Sequence, residues 1–239
     1  MKMVSKFVFS GLVMLLALGI LLSAQLLSPT DAVQPAECTG VDADTYGVRR
    51  HSFVARRAKL AAQESVLILG DSHLDTLPVE VAIQEQALNA SIGGQTAFEV
   101  EQRLPDFSPL RKWKTIYLLV GFNDLRCRDS IEVTDSLSRL ADELHAESQI
   151  VFIEIPELHE DLTAERHSGK NVAIRAINQH LQALADTYDS VHAVVYNEQL
   201  KTDDATASAA YYEADGVHLN EAGRLILLDA ILEMHQSLN

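Results

Sequence analysis

Short runs of apolar residues alternate with longer amphipathic stretches along most of the chain. The apolar runs predict five buried β-strands, at residues 66–69, 87–90, 116–120, 150–155 and 191–195. Between them, apolar residues recur at the spacing of helices that bury one face. This spacing is clearest in three stripes, formed by Val133, Leu137, Leu140 and Leu144, by Ile177, Leu181, Leu184 and Tyr188, and by Leu225, Leu228 and Leu232. The alternation predicts an α/β fold with a parallel sheet covered by helices on both faces.

An almost unbroken apolar run occupies residues 7–27, and Lys2 and Lys6 precede it. A run of this length can form a hydrophobic helix that spans a bilayer, with the amino terminus left in the cytoplasm. Thr30 and Ala32 offer an alternative, in which residues 1–27 are a signal peptide that is cleaved after export. We therefore expect an exported protein, either anchored at the periplasmic face of the inner membrane or released as a periplasmic or secreted protein.

The composition changes after this run, because residues 28–47 mix proline, small and acidic residues in the manner of a linker. We expect residues 48–239 to form one folded domain, since a chain of 239 residues with 47% hydrophobic content suffices for one core. Five basic residues open this domain, namely Arg49, Arg50, Arg56, Arg57 and Lys59. They either contact anionic lipid headgroups or form a solvated helix face.

The chain as a whole is acidic, with 34 Asp and Glu against 19 Lys and Arg and a formal net charge of −15. An acidic body repels phosphate backbones, so nucleic acid is not expected as a partner. No glycine-rich nucleotide-binding pattern occurs, and no nucleotide cofactor is predicted. Cys38 and Cys127 lack the spacing of zinc ligands, so no metal is predicted. In an oxidising compartment the two cysteines can form a disulfide, and otherwise they remain separate thiols.

Candidate chemical groups follow the predicted strands. Gly70-Asp71-Ser72 comes directly after the first strand and places a hydroxyl at the edge where open α/β sheets bind ligands. Residues 89–96 follow the second strand, and their paired glycines let backbone N–H groups approach a ligand. Asn123 follows the third strand and can donate a further hydrogen bond to the same negative charge.

A carboxylate and a histidine lie three residues apart just ahead of the last predicted helix, at Asp215 and His218. Asp215 can accept the Nδ1–H of His218, which leaves Nε2 to take the proton of Ser72. The chain order of serine, aspartate and histidine is a workable one. Each motif alone is more often a turn or a helix cap. In this combination and order they indicate a serine-dependent acyl-transfer site.

These motifs together resemble those of the SGNH hydrolases, also called the GDSL esterase/lipase family, from the first predicted strand to the end of the chain. The resemblance implies a flavodoxin-like three-layer α/β/α sandwich that needs no metal or other cofactor. It implies that Ser72 is the nucleophile, that His218 is the base and that Asp215 orients His218. The oxyanion hole is then formed by the backbone N–H groups of Ser72 and Gly94 and by the side chain of Asn123.

The sequence departs from the family pattern at two positions, with His73 in place of leucine and Leu219 in place of the usual proline. Neither position has to perform chemistry, but both can reshape the mouth of the pocket, so the substrate of any one branch is not transferred. We expect the neighbouring carboxyls of Asp71 and Asp124 to serve as a hydrogen-bonding scaffold.

Adjacent tyrosines, Tyr211 and Tyr212, lie in the long polar loop of residues 197–214. The loop returns at Asp215, so the tyrosines can offer a flat face to a sugar ring or an acyl chain. The alternative is that one tyrosine packs under the loop and the other faces solvent. Substrate recognition can then lie on the other rim, around residues 156–170.

The function expected from the sequence is that of an envelope serine ester hydrolase. Its substrate is an acyl ester of a polysaccharide or a lipid, with O-acetyl and other short or lipid acyl groups as candidates. Two alternatives remain. A carbohydrate O-acyltransferase would pass the acyl group from Ser72 to a sugar hydroxyl, and a membrane-tethered binding or assembly factor would use the fold without turnover.

Overall fold

The computed structural model describes residues 46–63, 65–83, 85–202 and 206–239. The predicted hydrophobic helix, residues 28–45 of the predicted linker and Cys38 lie outside these residues, so the leader and the disulfide stay predictions. Within the described ranges, no helix is long and apolar enough to cross a membrane. The first described element is helix α1 (Tyr46–Leu60), which begins two residues before the predicted start of the domain.

Five strands form one sheet, in which every neighbouring pair is parallel. The strands are β1 (Ser65–Gly70), β2 (Ala87–Asn89), β3 (Trp113–Leu119), β4 (Gln149–Ile153) and β5 (Val191–Val194). Their order across the sheet is β2-β1-β3-β4-β5, which is the flavodoxin-like order. The predicted five-stranded parallel sheet is confirmed, and no predicted strand boundary differs from the observed one by more than three residues.

Helices follow the strands, and polar side chains cap the first turns of several of them. After α1 come α2 (Ser72–Asp75), α3 (Val79–Ala82), α4 (Ala97–Arg103), α5 (Ser130–Leu144), α6 (Lys170–Thr187) and α7 (Glu221–Ser237). Thr96 caps α4, Asp129 caps α5 and Asn220 caps α7, each through a side-chain oxygen that accepts backbone N–H groups. These caps satisfy donors that have no partner inside the helix.

Both faces of the sheet are covered, because successive residues of each strand point to opposite sides. On one side, Leu67 and Leu69 of β1 share a buried core with residues of α1, α4, α5 and α6. On the other side, Val66 and Ile68 share a second core with residues of α2, α3 and α7. The fold is therefore a three-layer α/β/α sandwich, as expected.

Two of the three predicted apolar stripes face the core. All four stripe residues of α5 are buried, and in the second stripe only Tyr188, just past α6, is partly exposed. The stripe predicted for α7 is only partly confirmed, because Leu228 and Leu232 are partly buried against the second core whereas Leu225 is 55% exposed. The fully buried face of this helix is formed by Leu227 and Ile231. Four consecutive apolar residues, 225–228, form the second turn of this helix, so the spacing alone fits more than one face.

Candidate active site

The end of β1 places Ser72 at the mouth of a cleft. Gly70 has no room for a side chain, since a Cβ there would lie 2.8 Å from Leu74 Cδ1 and 3.0 Å from the carbonyl oxygen of Leu119. Asp71 then caps the short helix α2 by accepting the backbone N–H of His73 at 3.0 Å. Ser72 is the first residue of that helix, where a backbone N–H has no partner within the helix. Both its N–H and its hydroxyl are thus available at the carboxyl edge of the sheet.

Ser72, His218 and Asp215 form a continuous hydrogen-bonded chain. Ser72 Oγ lies 3.0 Å from His218 Nε2, and His218 Nδ1 lies 2.6 Å from Asp215 Oδ2. The second oxygen, Asp215 Oδ1, accepts the backbone N–H groups of Val217 and His218, each at 2.9 Å. The structure therefore brings together the three residues that the sequence predicts as nucleophile, base and orienting carboxylate.

The electrostatics of Asp215 favour its charged form. Partial burial raises the pKa of this carboxyl, but hydrogen bonds from the ring and backbone of His218 and from Val217 outweigh burial and hold the pKa at about 2. An ionised carboxylate accepts the Nδ1–H, so Nε2 of a neutral His218 carries the lone pair that faces the serine hydroxyl.

The turn that carries His218 is fixed against a second loop. Gly216 has a φ of 65°, and a Cβ added there would lie 2.6 Å from the carbonyl oxygen of His159. The His159 N–H in turn donates to the Gly216 carbonyl at 2.9 Å. Glycine is required here both for the left-handed backbone and for the close approach. The contact joins the turn of Asp215 and His218 to residues 159–163 on the neighbouring rim.

The backbone N–H groups of the paired glycines, Gly93 and Gly94, differ in their hydrogen bonding. The Gly93 N–H donates to Asp75 Oδ2 at 2.9 Å, so it is already engaged. The Gly94 N–H has no protein acceptor among the described residues, and Gly94 adopts a left-handed φ of 82°. Asn123 Nδ2 makes two long hydrogen bonds, at 3.2 Å to the Gln95 carbonyl and at 3.4 Å to Asp71 Oδ2. All three predicted oxyanion donors therefore have unused or weakly used hydrogen-bonding capacity, namely the N–H groups of Ser72 and Gly94 and the side chain of Asn123.

Asp75 anchors the glycine loop, a role that the sequence does not reveal. Besides Gly93 it accepts the Tyr46 hydroxyl at 3.0 Å, and Arg50 Nε lies 3.4 Å from its Oδ1. Arg50 also donates to the carbonyl oxygens of Asn89 and Ser91 in the same loop. The interpretation of the basic patch as a lipid contact or a solvated face is therefore wrong for Arg50, which ties α1 to this loop.

Buried polar groups surround Ser72. Asp71 and Asp124 are fully buried, and burial raises the pKa of both carboxyls, that of Asp71 to about 7. Asp124 accepts the Ala97 N–H at 2.7 Å and pairs with Arg128 at 2.9 Å, consistent with the expected scaffold role. Burial, followed by repulsion from His218, lowers the pKa of His73 to about 3, so His73 is neutral.

The cleft in front of Ser72 has a volume of about 640 Å³. It is lined by Phe122, Asn123 and Arg126, which follow β3, and by the turn of Asp215, Val217 and His218. Most of residues 162–167 complete the rim. This is the rim that the sequence offered as the alternative site of recognition. Within the described ranges, no group of three His, Cys, Asp or Glu side chains is arranged to hold a metal ion.

The predicted tyrosine contacts do not line this cleft. Tyr212 is buried, and its hydroxyl donates to the Glu157 carbonyl oxygen. Tyr211 is half-buried and packs beside the core on the α7 side of the sheet. The prediction of an open tyrosine face is therefore wrong, because the loop folds its aromatic side chains inward to cover apolar residues beneath it.

The sequence matches a known protein family over most of the described chain. Residues 68–225 match the family model described as GDSL-like lipase/acylhydrolase. None of the curated proteins matches the sequence.

Solved structures share the fold at low sequence identity. A GDSL-like lipase from Bacteroides thetaiotaomicron is 16% identical with a TM-score of 0.66, and the match covers 79% of this chain and 98% of the other. A member of the lipolytic protein G-D-S-L family from Veillonella parvula is 18% identical with a TM-score of 0.58, covering 71% and 96%. An acetyl xylan esterase, AlAXEase, is 16% identical with a TM-score of 0.59, covering 71% and 98%.

Proposed function

The chain belongs to the GDSL-like lipase/acylhydrolase family and is a carboxylic ester hydrolase, and on that premise we propose that it acts through an acyl-Ser72 intermediate. The observation that carries the proposal is the chain of hydrogen bonds from Ser72 Oγ to His218 Nε2 and from His218 Nδ1 to Asp215. A serine hydroxyl is a weak nucleophile until a base removes its proton, and this arrangement supplies the base.

In the acylation half-reaction, Ser72 Oγ forms a bond to the ester carbonyl carbon while its proton moves to His218 Nε2. The carbonyl oxygen becomes an oxyanion, and the Ser72 and Gly94 N–H groups and the Asn123 side chain donate hydrogen bonds to it. The long existing bonds of Asn123 Nδ2 are weak enough to exchange for this stronger acceptor. Collapse of the tetrahedral species breaks the bond to the alcohol oxygen, which leaves with the proton from His218.

In the deacylation half-reaction, His218 takes a proton from water, and the resulting hydroxide oxygen attacks the acyl carbon. The same oxyanion donors serve again, and Ser72 leaves with the proton returned by His218. The His218 side chain is 39% exposed and that of Asp215 is 48% exposed, so bulk water reaches the base directly. This exposure supports water as the acyl acceptor.

Ser72→Ala tests the proposal. The variant should have no turnover of 4-nitrophenyl acetate above the spontaneous rate, and a fluorophosphonate probe should label the wild-type protein once and the variant not at all. A matched control is Ser91→Ala, because the Ser91 hydroxyl is buried and is not part of the chain of hydrogen bonds. Wild-type turnover in Ser72→Ala would refute the proposed nucleophile.

A substrate class and a cellular location complete the proposal, and each rests on its own observation. We propose short acyl esters, above all O-acetyl groups, which is supported by the likeness in fold to an acetyl xylan esterase. We also propose that the protein works in the cell envelope, because the apolar run of residues 7–27 is long enough to carry it there. Expression of the full chain, followed by cell fractionation and mass measurement, distinguishes an anchored protein from one whose leader is cleaved.

A further inference from the structure

Three cationic side chains gather around the candidate cleft. Arg126 and Arg166 line it together with Ser72. Lys170, the first residue of α6, donates to the Leu125 carbonyl at 2.7 Å and so lies beside the same wall. The three come from different elements, namely the turn after β3, the loop after β4 and the start of α6. Arg126 is distant in the chain from Arg166 and Lys170, and the three cations are brought together only when the chain folds.

None of these cations has a carboxylate partner within 4.0 Å in the part of the chain that the structure describes. Elsewhere in this acidic protein, arginines such as Arg139 and Arg175 pair with glutamates. Arg126 Nε donates only to the Asn123 carbonyl, at 3.1 Å, and Arg166 Nε only to a nitrogen of His167, at 3.1 Å. Most donors of both guanidinium groups therefore remain available to a ligand.

The local charge balance makes this cluster unusual. The chain carries a net charge of −15, yet Asp215, the one carboxylate that lines the cleft among the described residues, is engaged by His218. Burial lowers the pKa of Lys170, and repulsion from Arg126 and Arg166 lowers it further. The three cations are thus close enough to repel one another, and a bound anion would relieve that repulsion.

We propose, resting on the proposed esterase function, that the cleft selects esters that carry a carboxylate or phosphate group, which Arg126 and Arg166 bind. Guanidinium groups suit both anions because their planar N–H donors match the anions' oxygen atoms. Phe122 and Val217, which also line the cleft, contact the uncharged part of the substrate. The positive rim draws such substrates toward a protein whose overall charge repels them.

Matched ester pairs that differ by one charge test this selection. On the alcohol side, 4-acetoxy-3-nitrobenzoate is compared with its methyl ester. On the acyl side, mono-4-nitrophenyl adipate is compared with its methyl ester. Each rate is divided by the rate of spontaneous hydrolysis, and the measured quantity is the ratio of kcat/KM for the anionic probe to that for the neutral probe. In the wild-type protein this ratio should exceed one for at least one pair, chiefly through a lower KM.

Arg126→Gln and Arg166→Gln should each lower this ratio by about twofold to fivefold, the range of a solvent-exposed charge pair. Raising the salt concentration should lower it as well, because exposed charges are screened. Arg111→Gln is the matched control. Arg111 is exposed and precedes β3, at the opposite edge of the sheet from the cleft, and its replacement should leave the ratio unchanged.

The two possible anions are distinguished by competition at constant ionic strength. Inhibition by glucuronate indicates a sugar carboxylate, and inhibition by glycerol phosphate indicates a phosphate. The inference is overturned by a wild-type ratio of one or less in both pairs, or by a ratio that neither arginine replacement changes.

Failure of the proposed function gives a different result. If the wild-type protein cleaves no member of either pair, or if Ser72→Ala cleaves both members of a pair at the wild-type rate, the mechanism is wrong. The preference for anionic ligands is then tested by measuring binding without turnover. NMR titration of 4-acetoxy-3-nitrobenzoate and its methyl ester into Ser72→Ala, with and without Arg166→Gln, measures the same preference without turnover.

Discussion

Asp71, the buried carboxyl between β1 and the proposed nucleophile, should make the stability of this protein depend on pH. Its side chain is fully buried, and burial raises its pKa from 3.8 to about 7, although a hydrogen bond from the His73 N–H opposes the change. In the unfolded chain an aspartate titrates near 4. Between about pH 4 and pH 7 the folded state therefore binds this proton while the unfolded chain has already lost it.

The sign follows from that difference in bound protons. Stability falls as the pH rises wherever the folded state holds more protons than the unfolded chain. The loss of folding stability caused by Asp71 is absent below about pH 4, increases up to about pH 7 and is constant at higher pH. The difference between the folded and unfolded pKa values corresponds to about 4 kcal/mol, which is a large part of a typical free energy of unfolding.

Asp71→Asn tests this prediction, because the amide cannot ionise and its oxygen can still accept the His73 N–H. Urea denaturation of the variant and the wild-type protein from pH 4.5 to pH 8 gives the difference in their free energies of unfolding. The contributions of other titrating groups largely cancel in that difference. As the pH rises from 4.5 toward 7, the variant should gain stability relative to the wild-type protein by up to about 1.4 kcal/mol per pH unit. A difference that stays constant over the whole range would refute the reasoning.

Four further predictions concern the site and its surroundings. Asn123→Ala should lower kcat on 4-nitrophenyl acetate by roughly 10² to 10³ with little change in KM, and a negligible effect would place the oxyanion donor elsewhere. Asp215→Asn should lower kcat on the order of 10⁴ while circular dichroism stays unchanged; unimpaired turnover would contradict the proposed role. Asp75→Ala should lower kcat more than Asp75→Asn, because only Asn can still accept the Gly93 N–H, and equal losses would contradict this tether. Tyr212→Phe should cost about 1 kcal/mol of stability and leave KM unchanged, so a raised KM would restore this residue as a substrate contact.

The sequence predicts the sheet and the residues at its edge for a common physical reason. Buried parallel strands appear as continuous apolar runs, and the carboxyl ends of neighbouring strands meet at one edge. Ser72 and Asn123 follow β1 and β3, which are neighbours in the sheet, so their proximity follows from topology. The Asp215–His218 pair is local in sequence, and a single turn is enough to form it.

The anchor of the glycine loop could not be predicted in this way. Asp75 joins α1 to Gly93 through contacts that are between 18 and 29 residues apart in sequence. No spacing rule marks such a contact, since each partner has an ordinary local explanation. In the sequence, Arg50 looks like one member of a solvated basic patch, and Asp75 is one of the 34 acidic residues of the chain. Only the packing of α1 against the loop shows that they act together.

Substrate recognition is still harder to derive from the sequence, because it depends on how two loops meet. The loop that ends at Asp215 was expected to present its tyrosines, but Tyr212 instead covers apolar residues and donates to Glu157. The close contact between Gly216 and His159 brings residues 159–163 against the turn that carries Asp215 and His218. Arg166 follows a few residues later and enters the cleft with them. Ser72 and Asn123 are therefore placed by the strand ends, whereas Arg166 reaches the rim through this contact between loops, and the substrate class has to be inferred from that rim.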